Sequence, residues 1–129
     1  MTAALSLPRT ARLLRPSDFT ALRGQSKRLS SRSFLAEYRP TDLGTARLGM
    51  AVSRRVSKLA VIRNRIRRVI RESFRLHRAG LASIDVLLIA RGFAVGQTNA
   101  ALRLELESLW SRLAPLKEGD TPGTMRADV

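Results

Sequence analysis

Between Leu59 and Arg78 the apolar residues Leu59, Ile62, Ile66, Val69, Ile70 and Phe74 recur every three or four positions, the spacing that gathers one stripe along an α-helix. At about 100° per residue, Asn64, Arg67, Arg68, Arg71, Arg75 and Arg78 fall on the opposite side, with Arg63 and Arg65 at the two edges. The pattern predicts a helix of roughly five turns with one core face and one face of nearly unbroken guanidinium. Such a helix needs an apolar surface under its stripe and an anionic counterpart for its arginines. The remainder of the chain has to provide the first, and a partner the second.

Ordinary surface helices mix charge signs, whereas here Glu72 alone relieves ten basic residues between Arg54 and Arg78. The bias is local: residues 1–91 carry a net charge of +15 and residues 92–129 a net charge of −1. Arginine outnumbers lysine 21 to 3, which suits planar, bidentate gripping of phosphate. The codon usage of a GC-rich genome accounts for part of that ratio but not for the clustering. Over 129 residues the total of +14 opposes compaction until a polyanion neutralises it, and nucleic acid or an anionic membrane surface is the expected counterpart. Helical order in the arginine face favours nucleic acid, whose phosphates it would grip without reading base sequence. The longest apolar run, Ile84 to Ala90 interrupted by Asp85, falls far short of a membrane span. With no cysteine, disulfides, thiolate metal sites and cysteine nucleophiles are excluded, and a cytoplasmic location is expected.

Around the arginine helix the other elements are shorter. Ser17 can cap a two-turn helix through Asp18, Phe19 and Leu22 that ends at Gly24, after a basic, loosely ordered arm over residues 1–16. Pro8 and Pro16 break any longer amphipathic helix there, which argues against a transit peptide. Phe34 to Arg39 alternates as a strand, then Pro40, Asp42 and Gly44 mark a turn. Arg47 to Ser53 alternates again, with Leu48, Met50 and Val52 on one face and Gly49, Ala51 and Ser53 on the other. Ile84 to Ala90 is apolar on both faces and reads as a central strand. A last helix runs from a Thr98 cap to about Leu113, and the tail from Lys117 has a disordered composition. One domain over residues 17–116 is expected.

Protein-borne catalysis has little to draw on. His77 is the only histidine and falls near the apolar side of the helix; no Gly-rich phosphate loop precedes a lysine, and Glu105 and Glu107, two apart on a helix, do not face each other. The aromatics Phe19, Phe34 and Tyr38 are candidates for stacking on single-stranded bases, against a plain core role for each.

The stretch Ala60-Val61-Ile62-Arg63-Asn64-Arg65-Ile66-Arg67-Arg68-Val69-Ile70-Arg71-Glu72-Ser73-Phe74-Arg75 closely resembles the signature of the bacterial ribonuclease P protein subunits, centred on an Arg-Asn-Arg motif. Leu14 to Phe19 is similar to that family's first helix, Leu48 to Arg55 to the strand and basic turn before the motif, and Ile84 to Arg91 to the strand after it. The resemblance implies an α/β fold, an α+β two-layer sandwich with a small, mainly antiparallel sheet of about four strands and three helices. It also implies a left-handed βαβ crossover, which periodicity alone would not suggest. It further implies a protein that binds a large catalytic RNA through Arg54, Arg55, Arg63, Asn64, Arg65, Arg67, Arg68 and Arg71. The 5′ leader of precursor tRNA would lie in a cleft to which Phe19, Phe34 and Tyr38 are assigned. Cleavage is then the work of the RNA with Mg2+, none of it bound by the protein alone, and neither DNA nor a membrane is a partner. Arg23 stands where many relatives have a second cleft aromatic, and Ser57 and Lys58 where relatives often have Gly-Asn, so leader recognition is expected to lean on charge more than on stacking. A ribosomal or other structural RNA-binding protein is the alternative; a DNA-binding helix-turn-helix has no signature here.

Overall fold

In the middle of the sheet sits the strand with the most uniformly apolar sequence. The computed structural model describes residues 11–12 and 26–114, so the expected 1–16 arm (Ala11 and Arg12 apart), the helix from Ser17 with Phe19 and Arg23, and the tail from Lys117 lie outside the described residues. Strand β1 (Lys27–Ser30) and strand β2 (Phe34–Pro40) form a hairpin, and β3 (Arg47–Ala51) follows a turn in which Gly44 adopts φ +85°. Helix α1 (Ala60–His77) leads through a short 3-10 turn into β4 (Ile84–Ala90), and a second 3-10 turn leads into α2 (Asn99–Leu113). The strand order is β1-β2-β4-β3. β4 runs antiparallel to β2 and parallel to β3, so β3-α1-β4 is a crossover between neighbouring parallel strands. The architecture is the expected α+β sandwich, with a mixed sheet and two α-helices among the described residues.

Three local features differ from the sequence expectation. β1 is absent from the sequence expectation, because Lys27-Arg28-Leu29-Ser30 shows no clear alternation and pairs with β2 as a largely exposed edge strand. β3 stops at Ala51 rather than Ser53, since the Ser53 carbonyl accepts from the Val56 N–H and turns the chain. Leu59 is the extended N-cap of α1 and is 58% exposed, outside the stripe to which its spacing assigned it. Its N–H donates to Ser57 Oγ, which holds the backbone extended until Ala60.

Both helices pack on one face of the sheet. α1 buries Ile66, Val69, Ile70 and Phe74, and α2 buries Leu102, Leu106, Leu109, Trp110 and Leu113, against Phe34, Ala36, Leu48, Val86 and Leu88. Phe74 and Trp110 meet edge to face at 5.6 Å, and the Trp110 indole N–H donates to Ser73 Oγ at 2.8 Å. That hydrogen bond explains a serine in the buried stripe of α1: a buried indole N–H needs an acceptor. Leu87, with Ala51 and Ile89, forms a separate small cluster on the other face.

Two carboxylates organise the rest. Asp85, the acid inside the apolar run of β4, is fully buried and lies opposite Arg39 on β2 and Arg47 on β3. Arg47 grips it with two hydrogen bonds of 2.8 Å, and Arg39 reaches it at 3.4 Å, so the buried charge is paired on both flanks. Glu105 on α2 ties down the β1–β2 turn by accepting from Ser31 Oγ, the Ser33 N–H and Ser33 Oγ at 2.8, 2.9 and 2.6 Å. Partial burial pushes its carboxyl up, but the bonds from Ser33 and Ser31 and the nearby Arg32 charge outweigh this and leave it below its ordinary value.

Ser73→Ala should destabilise the fold by about 1–3 kcal/mol, because it strands the indole donor of Trp110, and urea unfolding followed by tryptophan fluorescence measures the loss. A second expectation follows from Glu105. Its depressed carboxyl adds stability that is complete above the unfolded-state value of 4.5 and is lost as the pH falls through the lower folded-state value. Glu105→Gln should therefore flatten the acid limb of stability against pH below about 4.5, which melting curves across a pH series can check.

Candidate nucleic-acid interface

With its apolar stripe sunk into the sheet, α1 holds its arginines on the outside, and they fall into two sets. Asn64, Arg68 and Arg71 are exposed. Arg63, Arg65 and Arg67 are half-buried and already engaged. Arg63 donates to the Ser57 and Lys58 carbonyls, both at 3.0 Å, and Arg67 to Asn64 Oδ1 at 2.8 Å and the Val52 carbonyl at 3.2 Å. Arg65 reaches the loop before α2, donating to the Val95 and Gln97 carbonyls, both at 3.3 Å, and to Asn99 Oδ1 at 2.7 Å. None of these acceptors is a carboxylate, so the guanidinium charges are oriented without being cancelled.

The turn before α1 extends the same surface. Arg54, Arg55 and Lys58 are exposed and line a recess of about 440 Å³, in a loop shaped by Ser53 and Ser57. Next to it, Val61, Ile62, Asn64, Arg65, Arg68 and Asn99 line a second recess of about 600 Å³. Val61 is 73% exposed, so the floor of this surface is partly apolar. The first turn of α1 contains no acidic residue and Leu59 makes no side-chain cap, which leaves the positive end of the helix dipole unopposed among these cations. The arrangement can hold several phosphates side by side; it offers no base or nucleophile.

The structure places Arg54 and Arg55 in the turn before α1 and Arg63, Asn64, Arg65, Arg67, Arg68 and Arg71 along α1, and brings Asn64, Arg65 and Arg68 together at one recess. The aromatic candidates fare differently. Phe34 is completely buried among Ala36, Val86, Leu88 and the helices, so it has no ring face to offer a base and is a core residue. Tyr38 projects to the same side of β2 and packs half-buried against that core, where burial raises its hydroxyl above the usual value and Arg112 partly offsets the effect. Both sit on the helix-covered face of the sheet, not on the face bearing Leu87 and Ile89. Phe19 lies outside the described residues. Sequence reasoning missed Asp85 and Glu37, which occupy Arg39, Arg47 and Arg28 and so subtract them from the binding surface. The signal for Asp85 was there, as a lone acid in an apolar run with arginines on both flanking strands.

A cationic α+β domain that presents an arginine-faced helix and a basic turn to a polyanion is the class this geometry defines. Residues 7–114 match the family model for Ribonuclease P. The chain is 40% identical over 114 residues to the Ribonuclease P protein component of Thioalkalivibrio sulfidiphilus, covering 88% of this chain and 95% of that relative. It is 42% identical over 112 residues to the corresponding protein of Halorhodospira halophila, with coverage of 86% and 92%. The solved RNase P protein of Staphylococcus aureus superposes with a TM-score of 0.75 at 27% identity, covering 81% of this chain and 97% of that one. The chain belongs to the ribonuclease P protein family, whose members are components of an endoribonuclease that processes tRNA.

The two sets of arginines should separate on substitution. Arg65→Ala breaks three hydrogen bonds to the α2 loop and should cost about 1–3 kcal/mol of folding stability, whereas Arg68→Ala, exposed and unbonded to described residues, should stay within about 0.5 kcal/mol of the parent. Chemical denaturation of the two single variants makes the comparison.

Proposed function

We propose that this chain is the protein subunit of a cytoplasmic ribonuclease P, binding the catalytic RNA through Arg54, Arg55, Arg63, Asn64, Arg65, Arg67, Arg68 and Arg71 and assisting removal of the 5′ leader from precursor tRNA. The observation that carries the reading is the one-sidedness of α1, whose apolar stripe is buried while its arginines face out with neutral or no internal partners. Family membership supplies the identity of the polyanion. In this reading the magnesium of the reaction is held by the RNA; among the described residues no three His, Asp or Glu side chains converge. No helix among them is long and apolar enough to cross a membrane.

In this reading the protein acts through charge and position. Helix α1 is about 27 Å long, enough for its outer side chains to meet several successive phosphates and offset their mutual repulsion. Cations fixed on a folded surface substitute in part for diffusible ions, so the protein matters most when magnesium is scarce. Leader contact is assigned to Phe19; Phe34 and Tyr38 are not retained as stacking residues.

At low magnesium, adding the protein to its cognate catalytic RNA should restore cleavage of precursor tRNA, and rigorously RNA-free protein should cleave nothing. The double variant Arg68→Ala, Arg71→Ala should bind the RNA more weakly, with a slope of log affinity against log salt shallower by about two. Cleavage by the protein alone, or an unaltered salt slope, would refute the assignment.

A further inference from the structure

At the far end of α1, about 10 Å past Arg68 along the helix, Gly44, Thr45, Arg75, Arg78, Ala79 and Leu81 line a recess of about 350 Å³. Among the described residues no carboxylate lines it. Asp42 in the neighbouring turn and Glu72 one turn back along α1 are the nearest acids in sequence, and both stay outside the lining.

The two arginines are prepared in different ways. Arg78 is held in place, donating from Nε to the Ala46 carbonyl at 3.3 Å and from Nη2 to Thr45 Oγ1 at 2.8 Å. Because Thr45 Oγ1 accepts that bond, its own O–H remains available as a donor. Arg75 has no such support. Its Nε is buried without a hydrogen-bond partner among the described residues, a costly condition for a charged donor. Arg78, held in place, Arg75, whose Nε lacks a partner, and the Thr45 hydroxyl therefore border a cavity that no carboxylate lines among the described residues.

We propose that this recess is a phosphate subsite that receives a phosphodiester group of RNA, separate from the Arg-Asn-Arg region. Helix geometry connects it to the main surface. Residues 64, 68, 71 and 75 fall within an arc of about 60° on α1, so Asn64, Arg68, Arg71 and Arg75 form one row, which Arg78 follows in the 3-10 turn. RNA lying along the exposed Arg68 and Arg71 is directed to the recess. The inference rests on the RNA-binding reading above and adds to it a defined end point, anchored by the turn between β2 and β3.

The test uses the full chain with its cognate catalytic RNA, titrated over a salt series, comparing the parent with Arg75→Gln, Arg75→Lys and, as a reference on the exposed face, Arg68→Gln. Arg75→Gln should bind about fivefold more weakly at low salt with a slope shallower by about 0.7–0.9, Arg75→Lys should restore most of the slope, and the melting temperature should not fall. Repeating the titration with precursor tRNA on the assembled complex tells which RNA supplies the phosphate: the loss appears with the catalytic RNA alone, or only with the substrate. If Arg68→Gln weakens binding while Arg75→Gln matches the parent on both RNAs, the subsite does not exist although the main surface does. If Arg75→Gln and Arg75→Lys lose affinity equally and both melt early, Arg75 is structural and the subsite is overturned. Salt-insensitive binding by the parent itself would instead overturn the RNA-binding reading.

Discussion

Everything outward-facing on this molecule depends on how firmly α1 is seated on the sheet. Ile66, Val69, Ile70 and Phe74 fix the rotation of the helix about its own axis, and that rotation decides which arginines reach solvent. The Trp110–Ser73 hydrogen bond and the Phe74–Trp110 edge contact add directional restraints to a hydrophobic contact that by itself is nondirectional. A turn of the helix by one residue would bury a guanidinium and expose an isoleucine. The interface is therefore built from the inside: core complementarity sets its layout.

The same economy governs charge. A chain with net charge +14 has few carboxylates to spare, and the structure uses them where they hold strands and helices together. Asp85 joins β2 to β3 across β4, Glu37 meets Arg28, and Glu105 pins the hairpin turn to α2. The arginines nearest the basic turn are oriented instead by backbone carbonyls, which accept hydrogen bonds without neutralising charge. This division keeps stabilising ion pairs away from the face where they would reduce the field.

Periodicity carried much of this into view, and its failures have local causes. The helix over Leu59–Arg78 was legible to within a residue because its apolar side chains and its seven arginines obeyed one period, and Leu59 was misplaced only because Ser57 holds it extended. Ile84–Ala90 showed itself as a central strand through its unbroken apolar run. β1 was invisible, since an edge strand paired on one side needs no alternating pattern. Phe34 was ambiguous because an aromatic on a strand has the same spacing whether it faces a core or a ligand, and only the packing of both helices on its side settles the matter. The roles of Arg63, Arg65 and Arg67 could not be separated from those of Arg68 and Arg71 by composition or helical angle. Their acceptors lie in loops whose paths no local pattern encodes.

The carbonyl bonds of Arg63 and Arg67 also have an entropic side. Ordering a long, free side chain on binding costs about 0.5–1.5 kcal/mol, and these two are already restrained by Ser57, Lys58 and Val52 before any anion arrives. Arg68 and Arg71, exposed on the same helix, must be ordered at the moment of contact. In the proposed RNA-binding role, equal charges on one face would thus differ in how much attraction survives as affinity: the restrained arginines would act as a rigid template at the start of α1, and the exposed ones would adapt to the phosphate spacing that follows.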